Sequence, residues 1–387
     1  MATTWQARAL QTSAASGLFY TSFFSVTAFQ LFNMTAWLET RGIDAVTAGR
    51  MQGSADLVFV IGVLLAGLMA DWRGFNRRLF LGFFAFAILG YAILGATTQV
   101  ALLTMALAFM SFAFMPLTNL MDTHLQPYIT RDLIPYARVR AAGSFSFAAV
   151  IFVLAFLEEA TILKIFYPAI CLSLAALGLS LLMLPAHPVH TSSPFTERLK
   201  TFGQLLSQRR FLLFYIVVAL IFGSHGAHYI YAVPIWREAT FSSALIYGVI
   251  AWSVLVEIMF FLVAPKALTE QRAVPLLALC TVAAIIRWIA WPFVDGWTGM
   301  LAVHSLHVFT FALTHLTTLA FLRRRVPEGQ LGAAQALLPA ISVGFGMASS
   351  KLIAAQAFGY GVVPTFWAMA IFASLALPLL WLLQRRL

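Results

Sequence analysis

Four ionisable side chains fall inside long apolar runs of this chain: Asp56, Glu257, Arg287 and Lys351. Two more, Asp122 and Arg140, stand at the ends of such runs. A charge at the centre of a membrane helix costs about 2.5–3.5 kcal/mol, so groups of this kind turn toward a cavity or toward one another. Three acids and three bases allow both outcomes, a structural network of ion pairs or a polar chamber that handles a charged solute. Arg138 and Arg140 bear on the choice. Residues two apart on a helix point roughly 200° apart, so one arginine reaches headgroups while the other faces the interior, with Asp122 its nearest acid in sequence. The plainer alternative makes both arginines positive anchors that orient the segment.

Histidines extend the set. His225 and His228 are three apart and share a helix face, while His304, His307 and His315 are spaced three and eight and fall near one side of their run. Imidazole takes up or releases a proton near working pH, as a coupled carrier requires. Hydrogen bonding between helices is the simpler use of the same rings. No acid or cysteine falls at ligand spacing from them, so neither a metal site nor a cofactor is expected. Cys171 and Cys280 sit in apolar runs with no spacing for a disulfide. No nucleophile–base pair and no phosphate-cradling loop stands out, so an enzyme is not expected.

These residues need a membrane scaffold to hold them. Of 387 residues 61% are hydrophobic and 10% charged, against about 25% charged in soluble domains. The formal charge of +10 does not mark a nucleic-acid binder, because no basic stripe interleaved with aromatics occurs on a soluble segment. Apolar runs able to cross roughly 30 Å of hydrocarbon fall at about 14–38, 47–70, 78–96, 99–121, 139–158 and 161–184. They resume at about 211–233, 243–264, 273–292, 297–321, 331–356 and 362–384. The first run is too long for a signal-peptide core and reads as a retained span.

Alternate loops carry the basic residues. With the N-terminus inside, eighteen lysines and arginines fall on the inner side, and only Arg41, Arg50, Lys164 and Arg237 on the outer. The positive-inside rule then places both termini in the cytoplasm. A shift of 199 residues superposes Trp37, Glu39, Ala45, Gly49 and Ser54 on Trp236, Glu238, Ala244, Gly248 and Ser253, five identities in eighteen positions. They fall at the same place in each half, the end of its first span and the start of its second. The expected fold is an all-α membrane protein of twelve transmembrane helices in two pseudo-symmetric six-helix bundles, 1–185 and 211–387, joined by a cytoplasmic linker at 186–210. Duplicated halves of this kind hold substrate at their interface. Within the linker, Phe195, Leu199, Phe202 and Leu206 predict a short amphipathic helix in the membrane plane; a loosely ordered tether is the alternative.

The segment after the second run reads Gly67-Leu-Met-Ala-Asp71-Trp-Arg73-Gly74-Phe-Asn-Arg77-Arg78. Its glycines suit a tight reversal, Asp71 a cap or pair, and its arginines headgroup contacts. This pattern resembles the loop signature of the major facilitator superfamily. Arg138-Val-Arg140-Ala-Ala-Gly143 is similar to a motif of the lactose-permease branch of proton symporters, and Asp122 stands where that branch keeps an acid paired with the second arginine. Ile286-Arg287 and Leu306-His307 resemble its span-nine arginine and span-ten histidine, and His304 sits where it has lysine. Thr310 replaces its proton-carrying glutamate, and Glu257 lies over a turn from its span-eight acid. Both departures argue against a disaccharide and leave the proton's location open. Tyr20, Phe23-Phe24, the stretch 116–122, Ala227-His228-Tyr229, Glu257-Ile-Met-Phe-Phe, Arg287-Trp288 and His304-Ser-Leu-His307 are closer to the phenylpropionate-permease-like group.

That resemblance implies a secondary transporter that moves a small organic solute, of the aromatic carboxylic acid kind, with a proton by alternating access. A sugar or nucleoside proton symporter, or an exporter of drugs or metabolites, are the alternatives. The residues expected at substrate are Asp122, Arg140, Phe147, Tyr229, Arg287 and Trp288, with Lys351 and Tyr231 as further candidates for a carboxylate and a ring. Glu257, His304, His307 and Asp56 are the candidates for the proton, and Gly67, Asp71, Arg73, Gly74, Arg77 and Arg78 form the conformational loop motif. The expected partners are the solute, protons and the lipid bilayer, and not nucleic acid. The expected setting is a monomer in the bacterial inner (plasma) membrane.

Overall fold

In hydrocarbon every backbone N–H and C=O must find its partner within its own segment or in a closed barrel, and these apolar runs resolve that as helices. The computed structural model describes residues 2–73, 77–185, 195–263, 272–327 and 330–386, and every regular element among them is helical. In chain order these are α1 (Ala2–Glu39), α2 (Ala45–Arg73), α3 (Arg77–Ala96), α4 (Val100–Ala113), α5 (Pro116–Ile129), α6 (Tyr136–Leu154) and α7 (Glu159–Met183). Then come α8 (Phe195–Ser207), α9 (Arg209–Gly223), α10 (Gly226–Glu238), α11 (Ser243–Val263) and α12 (Ala273–Ala290), the last extended by a 3₁₀ turn at Trp291–Phe293. The chain closes with α13 (Gly296–Ser305), α14 (Thr314–Arg325), α15 (Leu331–Pro339), α16 (Ala348–Phe358), α17 (Val362–Ser374) and α18 (Ala376–Gln384).

Ten segments among the described residues are long and apolar enough to cross a membrane. The two other long helices are the more polar α1 and the arginine-bearing α6, which pack on each other, with α7 also against α1. With them the arrangement is consistent with twelve crossings.

Several crossings are broken where chemistry sits. Pro116 opens α5 directly after α4, since a proline without an N–H is tolerated at the first helical position. The α9–α10 break falls at Ser224-His225. Two π-helical segments interrupt later crossings, Val308–Leu313 between α13 and α14 and Ala340–Met347 between α15 and α16. Such bulges occur often at functional sites.

The second helix runs a little past the apolar stretch 47–70. α2 continues to Arg73, so Gly67, Asp71 and Arg73 are helical and the reversal comes later. A helix-interior glycine costs only about 1 kcal/mol, and Leu68, Met69 and Ala70 are good helix formers that carry the helix past it. Gly74 lies outside the described residues, and Arg77 and Arg78 open α3. The amphipathic helix expected in the linker is α8. Its buried residues are Phe202 and Leu205, while Leu199 stays exposed, because α8 lies against α9 and α15.

Buried apolar residues fall into three large clusters. One draws only on the chain from Ala9 to Leu184, and another only on Phe202 to Leu383. The third joins Ala28, Phe32, Ile151, Leu154 and Ile162 to residues of α10, α11, α12, α16 and α17. Polar contacts between early and late elements gather near it. Asn33 accepts from the Tyr247 hydroxyl, Arg237 Nε lies 3.5 Å from Glu159, Arg50 donates to Gln356 at 3.0 Å, and the Tyr231 hydroxyl donates to the Ala45 carbonyl at 3.1 Å. At the start of α2, Asp44 Oδ1 accepts the Thr47 N–H at 2.9 Å, and the Thr47 hydroxyl together with that N–H holds its carboxyl below the usual carboxylate range.

Close packing of α2 on α4 depends on Gly62. A Cβ there would lie 1.9 Å from the Phe112 carbonyl oxygen, and backbone cannot yield as a side chain can. Gly62→Ala is expected to force the two helices apart, at about 1–3 kcal/mol. Thermal unfolding of the purified protein in detergent measures this, and an unchanged midpoint would show that α2 and α4 part without cost.

Candidate functional site

Arg287 is the centre of the polar interior. It lies on the buried face of α12 with Cys280, Ala284 and Trp288, and it is wholly buried. Its Nη1 lies 2.9 Å from Thr310 Oγ1, 3.0 Å from His225 Nε2 and 3.2 Å from His307 Nδ1, its two hydrogens shared among the three acceptors. The α9–α10 break supplies His225, and the π segment supplies Thr310 one turn beyond His307. The Trp288 ring lies 4.5 Å from the guanidinium carbon, a cation–π contact.

Hydrogen bonding assigns the tautomers. His225 Nδ1 is 3.0 Å from the Phe222 carbonyl, which can only accept, so Nδ1 carries the hydrogen and Nε2 receives from Arg287. His307 Nδ1 accepts from Arg287, so its Nε2–H points at Glu257 Oε2, 3.3 Å away. The result is a relay Arg287–His307–Glu257 in which the guanidinium meets only neutral partners directly. Among the described residues no carboxylate lies within ion-pair distance of Arg287, and its Nε and Nη2 have no hydrogen-bond partner. A buried charge left this way costs several kcal/mol relative to a paired one.

A second polar group surrounds Asp122. Tyr136 donates to its Oδ1 at 2.9 Å, and the Tyr20 hydroxyl donates to the same oxygen. The expected pairing of Asp122 with Arg140 is not formed. Arg140 lies instead over two rings, its guanidinium carbon 4.4 Å from the centre of Phe24 and 5.2 Å from that of Tyr20. Tyr20 thus stands between acid and base, satisfying one by its hydroxyl and the other by its ring face. Gly143 makes room for this, since a Cβ there would lie 2.5 Å from Phe24 Cδ2. The helices of Arg140 and Glu257, α6 and α11, pack together.

The remaining candidates divide. Trp288 is buried and donates to Ser224 Oγ at 2.8 Å, and Tyr229 stacks on His225 with ring centres 5.9 Å apart. Phe147 packs half-buried against the cluster that contains Trp288. Tyr231 turns away, stacked on Phe358 at 4.0 Å and bonded to the start of α2. Asp56 does not join Glu257. It pairs with Lys351 Nζ at 2.7 Å, linking α2 to α16, and accepts from Ser111 at 3.3 Å. His304 does not join His307. Its Nδ1 bonds the Met300 carbonyl at 2.8 Å, and its ring lies 5.2 Å from that of His228. His304 Nε2, His228 Nδ1 and Trp291 Nε1 in that neighbourhood have no hydrogen-bond partner.

Sequence reasoning did not select Thr310 or the tyrosines that hold Asp122. In the sequence Thr310 stands out only for the glutamate it replaces, and no periodicity announces a π bulge. The spacing of His225 and His228 placed both on one face, yet they serve different neighbours, Arg287 and His304.

Residues 15–368 match the MFS_1 like family. No curated protein matches the sequence. Among solved structures, the nucleoside transporter NupG is 18% identical with a TM-score of 0.79, over 97% of this chain and 98% of that one. An auto-inhibited POT family peptide transporter is 13% identical with a TM-score of 0.74, over 97% of each chain. The D-xylose-proton symporter is 14% identical with a TM-score of 0.65, over 96% of each chain. At these identities the likeness is one of fold.

The Asp56–Lys351 pair yields a prediction about the part Asp56 plays. Lys351→Met leaves a partly buried carboxylate alone and is expected to destabilise the protein by about 3 kcal/mol, whereas Asp56→Asn with Lys351→Met restores most of the loss. Melting points of the two variants check this. If the double variant melts no higher than the single one, the pair is not what stabilises the α2–α16 contact.

Proposed function

This chain belongs to the MFS_1 like family, and on that footing we propose that it is a secondary active transporter for a small organic anion, coupled to protons and working by alternating access. The carrying observation is Arg287, a buried guanidinium with two unpartnered donors and no carboxylate beside it. A solute carboxylate is the natural complement, because Nε and one Nη of arginine form a fork that matches it. Trp288 lies under the guanidinium and Tyr229 beside His225, so an aromatic body attached to that carboxylate would find ring faces close by. The likeness at Arg287, His307 and the 138–143 motif to the lactose-permease branch, and across 116–122 to its phenylpropionate-permease-like group, supports the same reading.

Glu257 is the proposed proton carrier. While ionised, it accepts the His307 Nε2–H and offsets the Arg287 charge through that ring. Once protonated, it no longer balances the guanidinium, and the site gains affinity for an anion. Proton and anion therefore bind together, which is the thermodynamic requirement of symport. Arg140, with Asp122 held apart from it by Tyr20, is the second cation an entering anion meets.

We further infer a monomer of two six-helix bundles, 1–185 and 211–387, joined by a linker at 186–210, in a bacterial inner membrane with both termini cytoplasmic. The basic-residue asymmetry supports that orientation. The contacts among Asn33, Tyr247, Glu159, Arg237, Arg50 and Gln356 then lie on the outer side and close it.

A specific observation favours a second reading. His304 Nε2 can only accept and Trp291 Nε1 can only donate, and both are buried without partners. A hydroxylated solute, a nucleoside or a sugar, could satisfy such groups where a simple aromatic acid would not.

Uptake into proteoliposomes under an imposed inward acid gradient tests the proposal with three solutes: phenylpropionate, a nucleoside and xylose. Gradient-driven accumulation of the carboxylate is expected, with Arg287→Ala lowering uptake at least about thirtyfold, as loss of a buried charge partner does. Glu257→Gln is expected to abolish accumulation while leaving exchange of preloaded solute intact. Accumulation of the nucleoside or sugar alone would select the second reading, and uptake indifferent to the gradient would remove the coupling.

A further inference from the structure

A groove of about 540 Å³ opens on the outer surface of the helices between α3 and α7, away from Arg287 and its partners. Ile88 and Ala92 of α3 face Cys171, Ala175 and Leu179 of α7 across it, and all five are exposed. Small side chains and Gly178 make the depression. A Cβ at Gly178 would lie 2.9 Å from Phe84, so the two helices meet closely there. In a membrane-spanning chain this face meets acyl chains rather than water, and its lining is almost wholly apolar.

The mouth of the groove is charged. Lys164, Tyr167, Cys171, Ala175 and Gly178 follow one another at three, four, four and three residues, so all lie along one face of α7. Lys164 is exposed, one turn above Tyr167, and forms no ion pair among the described residues. Arg41 approaches from the other side. It donates to the carbonyls of Gly95 and Thr97 at the end of α3 and covers the Trp37 ring at 5.1 Å. Trp37 in turn stacks on Tyr167 with ring centres 5.9 Å apart. Two cations and an amphipathic tyrosine therefore cap one end of an apolar trough. From Tyr167 to Leu182 the trough follows fifteen residues of helix, roughly 22 Å at 1.5 Å per residue.

We propose that this groove binds one anionic phospholipid, its acyl chain lying along Cys171 and Gly178 and its phosphate met by Lys164 and Arg41. A zwitterionic lipid could offer the same chain, but its choline repels the two cations that its phosphate attracts. The site thus selects for net negative charge at the mouth and for an extended chain below it. This inference does not depend on the solute or on proton coupling.

Cys171 provides the reporter, because it is exposed in the groove while Cys280 is buried. The rate of Cys171 alkylation by a small maleimide is to be followed in detergent micelles of the full chain titrated with phosphatidylglycerol or with phosphatidylcholine. Saturable protection by phosphatidylglycerol is expected at mole fractions where phosphatidylcholine protects little, with one phosphatidylglycerol retained per protein in native mass spectrometry. Lys164→Gln and Arg41→Gln should each raise the half-protecting mole fraction about fivefold, the effect of one basic residue beside an anionic lipid. Lys164 is exposed, so its variant reports on the site even if Arg41→Gln unfolds. Equal protection by the two lipids, or protection by phosphatidylglycerol that Lys164→Gln leaves unchanged, would overturn the proposal.

Discussion

A positive charge sealed in a low-dielectric interior without a negative one beside it is the constraint around which the later half of this chain is built. Arg287 has neutral neighbours on one side only. Two imidazoles and a hydroxyl take up Nη1, and the opposite edge of the guanidinium has nothing to donate to. The nearest compensation comes through His307 from Glu257. The break between α9 and α10, the π segment after His307 and the burial of Trp288 each follow from bringing those neutral groups to one point. A carboxylate placed directly on Arg287 would make a more stable protein and a site already filled by its own chain.

The same separation of acid from base recurs around Asp122. There Tyr20 and Tyr136 occupy the carboxylate, and aromatic faces occupy Arg140. Two ions that could neutralise each other are held apart by groups that satisfy each weakly. The Asp56–Lys351 pair behaves in the opposite way, because it closes directly and ties α2 to α16. Of the three acids near the polar interior, one is spent on holding helices together and two keep some freedom to respond to an incoming charge.

Much of the fold was legible because hydrocarbon leaves so few choices. Twenty apolar residues in a row have one way to satisfy their backbone. The amphipathic spacing at 195–206 likewise foretold α8. Site residues were legible by type, since an arginine or glutamate inside such a run has few uses. Their pairing was not. Asp122 and Arg140 are adjacent in a linear reading, and nothing in that reading shows that Tyr20, 102 residues before Asp122, comes between them. His304 and His307 share a motif but meet different partners, His304 the Met300 carbonyl and the His228 ring, His307 Arg287 and Glu257.

The two π-helical segments carry one more implication. Each holds a surplus residue that the regular spiral does not need, and such a surplus can migrate along the rod as a dislocation moves through a crystal. If the defect at Val308–Leu313 travelled toward Arg325, every side chain it passed would swing by about 100°. Thr310 would leave the guanidinium while its crossing kept its length and its place among its neighbours. Such a motion would change what Arg287 touches without any rocking of large bodies.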